Sequence, residues 1–187
     1  MHVKELNPEL WPDLEKLFSS STEECNSCWC MNHRLKPEAV VTGEKAKNQL
    51  KELVLNNQAF GVIAFDNAKP VGWCGFDRRA DLFGHDCTYP FEYKDKNIIW
   101  SIHCFYVKPD YRGKGISKLL IKESMKILEK YNAKEVEAYP TLPENLIENR
   151  EQVENFSGNY QTFIKNGFEL KEKINNFYSR LVKKLNY

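Results

Sequence analysis

Residues 107–117 read VKPDYRGKGIS and lead from a run of apolar residues into a helical pattern. The first turn of a helix presents N–H groups without intrahelical partners, together with the positive end of the helix dipole. Gly113 and Gly115 allow a ligand to approach this backbone closely, and Arg112 and Lys114 add positive charge. The stretch therefore predicts a site for phosphate or pyrophosphate. The alternative is a helix start after a tight turn, with surface charges for solubility.

Two common phosphate-binding loops do not fit this stretch. A P-loop requires Gly-x4-Gly-Lys-Ser/Thr, and the sequence contains no such string. A dinucleotide-binding fingerprint requires a third glycine at the position of Lys118. The predicted anion site is therefore neither a P-loop nor a dinucleotide-binding loop.

Apolar patterns on both sides of the loop predict its neighbours. Residues 98–107 form a near-continuous apolar run, which is typical of a strand covered on both faces. Residues 115–131 repeat apolar side chains at helical spacing. Further strands are predicted at 3–6, 59–65, 70–76, 134–139, 168–174 and 177–185, and further helices from Pro8 (capped by Asn7), from Gly43 and over 158–165. Residues 19–42 are predicted to be irregular, 78–97 to be an insertion and 140–156 a loop. The element order predicts a mixed α+β sheet.

Composition limits the class of protein. The chain has 187 residues with 42% hydrophobic content, which predicts one domain over residues 1–187 with a buried core. Lys plus Arg is 27 and Asp plus Glu is 26, so a net charge of +1 gives no argument for nucleic acid or a membrane surface. No apolar run approaches the roughly 20 residues of a membrane span, and no secretory signal opens the chain. We therefore expect a cytoplasmic protein with its six cysteines reduced.

Residues 107–117 resemble the acyl-CoA pyrophosphate loop of the GNAT N-acetyltransferase superfamily. The family pattern there is Arg/Gln-x-x-Gly-x-Gly/Ala, and Ser117 is a small-residue variant of its last position. Residues 166–168, Asn-Gly-Phe, are similar to the Gly-Phe that opens the sixth strand of the family, and the element order agrees from residue 2 to 185. The segments 28–31, Cys-Trp-Cys-Met, and 137–140, Glu-Ala-Tyr-Pro, are similar to those of a less characterised subgroup.

The resemblance implies a fold and an acyl donor. The fold would be a mixed sheet of six or seven strands with about four helices. Acetyl-CoA would bind along the fourth strand and on the loop, without a metal ion. The implied binding residues are Phe105, Tyr106 and Val107 for the pantetheine arm and Arg112, Gly113, Lys114, Gly115, Ile116 and Ser117 for the pyrophosphate. A backbone N–H at Phe105 or Tyr106 would stabilise the developing oxyanion.

The acid and base depart from the family pattern. Many members place a tyrosine acid four residues before the Gly-Phe, where this chain has Phe163, and some place a glutamate base where it has Ser101. His103, on the same strand face as Ser101, suits general-base work, and Tyr139 or Tyr160 would serve as the acid. The alternatives are a hydrogen-bonded sheet histidine, packed tyrosines, and proton relay by ordered water.

A cysteine cluster at residues 25–33 suggests a second kind of site. Cys25, Cys28, Cys30 and His33 lie within nine residues, which is crowded for zinc, and a distant ligand would come from His85 or Cys87. The alternative is that these thiols pack as small apolar groups. In the resembled fold this loop borders the acceptor pocket, so Trp29, Met31 and Arg34 are the implied acceptor-binding residues.

The sequence leaves three hypotheses. The first is an acetyl-CoA-dependent N-acetyltransferase, monomeric or homodimeric, that acts on a small-molecule or peptide amine by direct transfer in a ternary complex. An acyl-cysteine route through Cys104 or Cys74 is disfavoured, because strict alternation would place His103 and Cys104 on opposite strand faces. The second is a catalytically idle acyl-CoA-binding domain, suggested by Phe163 and Ser101 at the acid and base positions. The third is a zinc-binding module.

Overall fold

The strands of the described residues join in one mixed sheet. The structure, a computed structural model, describes residues 1–21, 25–83, 95–143, 158–175 and 177–185. In these ranges the strands are β1 (His2–Glu5), β2 (Phe60–Asp66), β3 (Lys69–Arg78), β4 (Ile99–Val107), β5 (Glu135–Ala138), β6 (Glu169–Lys173) and β7 (Ser179–Lys184). Their spatial order is β1-β2-β3-β4-β5-β7-β6. Within this described sheet, β4 and β5 are the parallel pair and the other neighbours are antiparallel.

Helices lie between the strands at the predicted places. In the described residues they are α1 (Trp11–Ser19), α2 (Cys25–Cys28), α3 (Gly43–Leu55), α4 (Ile116–Lys130) and α5 (Tyr160–Lys165). The predicted Asn7 cap is confirmed, since its Oδ1 accepts the N–H of Leu10 at 3.1 Å, although it caps a 3₁₀ turn (Pro8–Leu10) that precedes α1. Over the described ranges, no helix combines the length and apolar character that a membrane crossing requires.

Two apolar clusters cover the two faces of the sheet. The first cluster lies on the face that α4 and α5 cover and includes Val62, Phe76, Ile102 and Phe105. The second lies on the face that α1 and α3 cover; its members include Ile63, Trp73, Cys104 and Tyr106. The expectation that the fourth strand is covered on both faces is therefore confirmed.

The predicted fold class is confirmed, with small corrections. The sheet has seven strands in the described residues, at the upper end of the expected range. The extra helix is the single turn α2, inside the stretch 19–42 that was predicted to be irregular. β3 runs on to Arg78, at the start of the predicted insertion. Much of that insertion and of the 140–156 loop lies outside the described residues, and the single domain over 1–187 stays a prediction.

A β-bulge in β4 corrects one expectation about side-chain directions. Cys104 pairs with Gly75 and Ile102 pairs with Phe76, so His103 is an extra residue on β4. Ile102 belongs to the cluster on the α4 face, whereas Cys104 belongs to the cluster on the α1 face. The prediction that His103 and Cys104 point to opposite faces is therefore wrong, because the bulge interrupts the alternation between them.

Candidate active site

The parallel ladder between β4 and β5 is short. It runs from Ile99 and Glu135 to Ile102 and Ala138, whereas β4 continues to Val107 in its pairing with β3. The ladder thus ends at the residue before the bulge. Phe105, Tyr106 and Val107, the implied pantetheine-binding residues, all lie beyond that end. Ser101, His103 and Tyr139 are therefore next to the residues where the β4–β5 pairing stops.

The loop between β4 and α4 has the geometry of an anion site. Gly113 and Gly115 have φ angles of 74° and 79°, in the left-handed region that favours glycine. In the described structure no side chain caps the start of α4 at Gly115. The first N–H groups of α4, at Ile116 and Ser117, have no intrahelical acceptor by helix geometry. An anion at this end would satisfy those donors and meet the positive end of the helix dipole.

A cavity of about 210 Å³ lies against this loop. Its lining residues are Val107, Tyr111, Arg112, Gly113, Gly115, Ile116, Ser117, Lys118 and Thr162. The lining thus includes five of the six residues to which the resemblance assigns pyrophosphate binding. Lys114, the sixth, extends over the ring of Tyr111 with its Nζ 5.0 Å from the ring centroid.

The loop is held by hydrogen bonds of Tyr111 and Arg112 and is electropositive. The hydroxyl of Tyr111 donates to Asp66 at 3.0 Å, and Arg112 Nε donates to the carbonyl of Val107 at 3.1 Å. Partial burial, with Lys69 and Lys16 nearby, lowers the pKa of Lys108. Accumulated positive charge and available backbone donors are the features that a pyrophosphate group needs.

A buried polar cluster surrounds the bulge on the opposite side of β4 from α4. Asp77, fully buried near the end of β3, accepts from His103 Nε2 at 2.7 Å and from Arg34 Nη1 at 3.0 Å. Arg34 Nη2 lies 2.5 Å from the second carboxylate oxygen of Asp77. The carboxylate is therefore bound by a guanidinium and an imidazole at once. An arginine partner is what allows a carboxylate to be buried at all.

Both histidines of this cluster are neutral near pH 7. Burial lowers the pKa of His103, and Arg34 adds to this effect, while the hydrogen bond and charge of Asp77 oppose it. Burial together with His103, Arg34 and Arg79 lowers the pKa of His33 to about 3. The two rings lie 5.7 Å apart in an edge-to-face arrangement. A neutral imidazole in this cluster can accept a proton.

A second buried ion-pair network lies on the neighbouring strand. Glu137 of β5 is fully buried, 2.8 Å from Arg79 Nε and 3.1 Å from Arg180 Nε. Ser101 pairs in register with Asp77 on one side and with Glu137 on the other. Ser101 therefore lies, fully buried, between the two networks rather than at an open surface.

The aromatic candidates occupy different environments. Tyr139 directly follows β5 and is 1% exposed, whereas Tyr160 begins α5 and packs half-buried against the core. Phe163, at the family's tyrosine position, is fully buried with its ring 5.7 Å from Phe105 and 5.0 Å from Phe168. In this chain the Phe163 ring therefore packs α5 against the core.

Two of the three implied acceptor residues line a larger cavity. Met31 and Arg34 border a space of about 470 Å³, together with residues that include Gln49 and Glu52. Among the described residues, Arg34 Nε and Gln49 Oε1 have no hydrogen-bond partner. Trp29 does not line this space, because its ring packs 5.5 Å from Phe18 within the second apolar cluster.

The cysteine segment shows no assembled metal site where it is described. Cys28 and Cys30 form no disulfide, and no group of three or more His, Cys, Asp or Glu side chains converges within the described ranges. The side chain of Cys25, and His85 and Cys87, lie outside those residues.

Sequence reasoning missed Asp77, which joins His103 to Arg34. One signal was available: Asp77 follows directly on the apolar residues 70–76, at a position where a carboxylate inside a sheet needs a partner. The partner itself was hidden, because a contact between β3 and β4 depends on the register that the bulge changes.

Comparisons with known proteins identify the family and the fold. Residues 11–149 match the sequence model of the acetyltransferase (GNAT) family. No curated protein matches the sequence. Over 99% of this chain, the fold is similar to a PaiA N-acetyltransferase of Thermoplasma acidophilum in complex with coenzyme A (17% identity, 100% of that chain, TM-score 0.57). Over 99% of this chain, the fold is also similar to a ribosomal-protein-alanine N-acetyltransferase of Brucella melitensis (12% identity, 100% of that chain, TM-score 0.59). Over 98% of this chain, the fold is similar to an aminoglycoside 6'-N-acetyltransferase complexed with coenzyme A (17% identity, 97% of that chain, TM-score 0.61). Because the family match spans well over half of the chain, this protein belongs to the GNAT acetyltransferase family.

Proposed function

We propose that this protein transfers the acetyl group of acetyl-CoA to the primary amine of a small molecule or peptide, by direct attack in a ternary complex. The observation that carries the proposal is the start of α4, which has no side-chain cap in the described structure, follows β4 after a loop of eight residues (108–115) and borders a cavity of about 210 Å³. Arg112 to Ser117 would hold the pyrophosphate, and Phe105 to Val107 would pair with the pantetheine arm.

The chemistry requires three groups around the thioester. The amine must lose a proton, and His103 is the candidate base in the best position because it lies in the bulge just beyond the end of the β4–β5 ladder. A backbone N–H of Phe105 or Tyr106 would stabilise the oxyanion. Tyr139, Tyr160 or an ordered water would protonate the departing thiolate. Ser101 is buried between the Asp77 and Glu137 networks, so we assign it a structural role between them and not the role of a base.

The cavity of about 470 Å³ is the proposed place for the acceptor. Met31 and Arg34 lie on its wall, and Arg34 also contacts Asp77, the partner of His103. Arg34 Nε and Gln49 Oε1 are buried, so either atom would contact a polar molecule bound there only after its side chain turns toward the cavity. Trp29 would support this wall by packing against Phe18 in the second apolar cluster.

The reduced thiols Cys28, Cys30, Cys74 and Cys104 agree with a cytoplasmic location.

A panel of amines tests the proposal. The protein is incubated with acetyl-CoA and each amine, and free thiol is measured as coenzyme A is released. We expect turnover of at least one amine, and a loss of about 100-fold in His103→Gln, within the usual range for a general base. Acetyl-CoA binding without turnover of any amine would instead favour the idle acyl-CoA-binding domain, for which the burial of Phe163 is the specific argument.

A further inference from the structure

The Asp77 carboxylate makes a contact that a purely structural ion pair would not need. Arg34 alone would balance its charge, with Nη1 at 3.0 Å from Oδ1 and Nη2 at 2.5 Å from Oδ2. Asp77 nevertheless also binds His103 Nε2 at 2.7 Å, a short distance typical of a strong hydrogen bond to a carboxylate. Asp77 and the His103 side chain are both fully buried, so water does not weaken the contact.

This hydrogen bond determines which nitrogen of His103 is basic. A carboxylate can only accept, so Nε2 must carry the hydrogen that it donates to Asp77. In a neutral imidazole the other nitrogen, Nδ1, then holds the lone pair. Burial keeps the ring neutral, as described above, so Nδ1 is able to accept a proton. The geometry therefore selects one tautomer of one ring.

The bulge and Gly75 make room for this ring. His103 is the extra residue of β4, opposite the step from Gly75 to Phe76 on β3. A Cβ atom added at Gly75 would lie 3.3 Å from His103 Cε1 and 3.1 Å from the Trp73 ring, closer than most real contacts. A side chain at residue 75 would thus press on the imidazole. The lack of one lets the ring reach Asp77.

We propose that Asp77 is a positioning residue, which holds His103 as the Nε2–H tautomer so that Nδ1 takes the proton of the acceptor amine. This inference rests on the proposed function. As the amine nitrogen forms its bond to the acetyl carbon and the carbon–sulfur bond breaks, the amine proton passes to Nδ1. The thiolate leaves with the bonding electron pair and takes a proton from Tyr139, Tyr160 or an ordered water, and the imidazolium afterwards returns its proton to water. Asp77 stays ionised and stabilises the imidazolium.

Nitrogen NMR of histidine-labelled protein tests the tautomer without any substrate. The His103 signals are identified by their loss in His103→Gln. We expect the neutral ring to be protonated on Nε2 in the wild type, and this single tautomer to be lost in Asp77→Asn. A wild-type ring protonated on Nδ1 would overturn the proposal, and this measurement needs no variant of Asp77 to fold.

The pH profile of turnover separates positioning from simple loss of structure. Asp77 raises the pKa of His103, while Arg34 and burial lower it and the His33 ring faces it at 5.7 Å. Replacing Asp77 by asparagine should therefore move the acidic limb of kcat/KM to lower pH and reduce kcat by about 100-fold. Glu137→Gln is the matched control, because Glu137 is equally buried and bound by arginines but lies on β5, in the other ion-pair network.

The outcomes distinguish a failure of the proposed role of Asp77 from a failure of the proposed function. The proposal predicts a shifted limb in Asp77→Asn and an unshifted limb in Glu137→Gln. A limb at the wild-type position in both variants would overturn the role of Asp77. The expected tautomer in a protein that turns over no amine would instead contradict the proposed function and leave the Asp77–His103 geometry intact.

Discussion

At the scale of single residues, the site depends on one extra residue in one strand. Strict alternation along residues 98–107 predicts that His103 and Cys104 face opposite ways, and the bulge makes this prediction wrong. A bulge adds one residue without changing composition or hydrophobicity, so the sequence pattern does not reveal it. His103 was identifiable as a titratable group in an apolar strand. Asp77 was not identifiable as its partner, because their contact depends on the register.

The histidines beside Asp77 predict an acid-labile fold. The folded-state pKa of His33, about 3, lies below the 6.5 of an ordinary histidine, because burial, His103, Arg34 and Arg79 disfavour its charged form. The unfolded chain therefore binds a proton that the folded protein does not, as pH falls from about 6.5 toward 3. This contribution to stability is present above pH 6.5 and is lost on acidification.

Urea denaturation at pH 7.5 and pH 4.5 measures this loss. We expect the free energy of unfolding to be lower at the acidic pH, and the difference to be smaller in His33→Asn, which has no imidazole to protonate. An equal difference in the variant and the wild type would show that His33 does not contribute to the acid lability.

At the scale of elements, the local signals were the most predictive. The helix expected over 115–131 is α4, Ile116–Lys130, because its glycines, charges and apolar spacing are all contained in one continuous segment. The positions of α5 and its Gly-Phe were predicted equally well. What α5 contributes was harder to predict, because Phe163 could have faced either the site or the core. The structure places it in the core between Phe105 and Phe168.

Restoring a tyrosine at residue 163 tests this role of α5. Phe163 is fully buried, so the added hydroxyl of Phe163→Tyr would lose its water without gaining an evident partner. We expect a loss of about 1–3 kcal/mol in the free energy of unfolding, measured in urea, and no gain in turnover. Phe163→Leu is the control for packing, since it adds no polar group. Unchanged stability with faster turnover in Phe163→Tyr would show that the position faces the reaction instead.

At the scale of the whole molecule, the candidate residues on one side of the site can be predicted from the sequence, and those on the other side cannot. The proposed donor side consists of β4, the loop and α4, which are consecutive in sequence, so its candidate residues form one local pattern. The proposed acceptor side joins residues from distant segments, such as Met31, Gln49 and Asp77, and such a combination leaves no local pattern. The order of the sheet was predictable as a class, since alternating hairpins and helices favour a mixed sheet.

The central claim is that acetyl-CoA binds on the loop at the start of α4, and calorimetric titration tests it most directly. The wild type, Gly115→Glu and Gly43→Glu are titrated with acetyl-CoA. Gly43 is the matched control, because it also begins a helix with a positive φ angle (60°) and open space for a side chain, but on α3, away from the loop. We expect micromolar binding to the wild type, a loss of at least about 10-fold in Gly115→Glu and a change within about twofold in Gly43→Glu. No binding to the wild type, or equal binding to Gly115→Glu, would contradict the account.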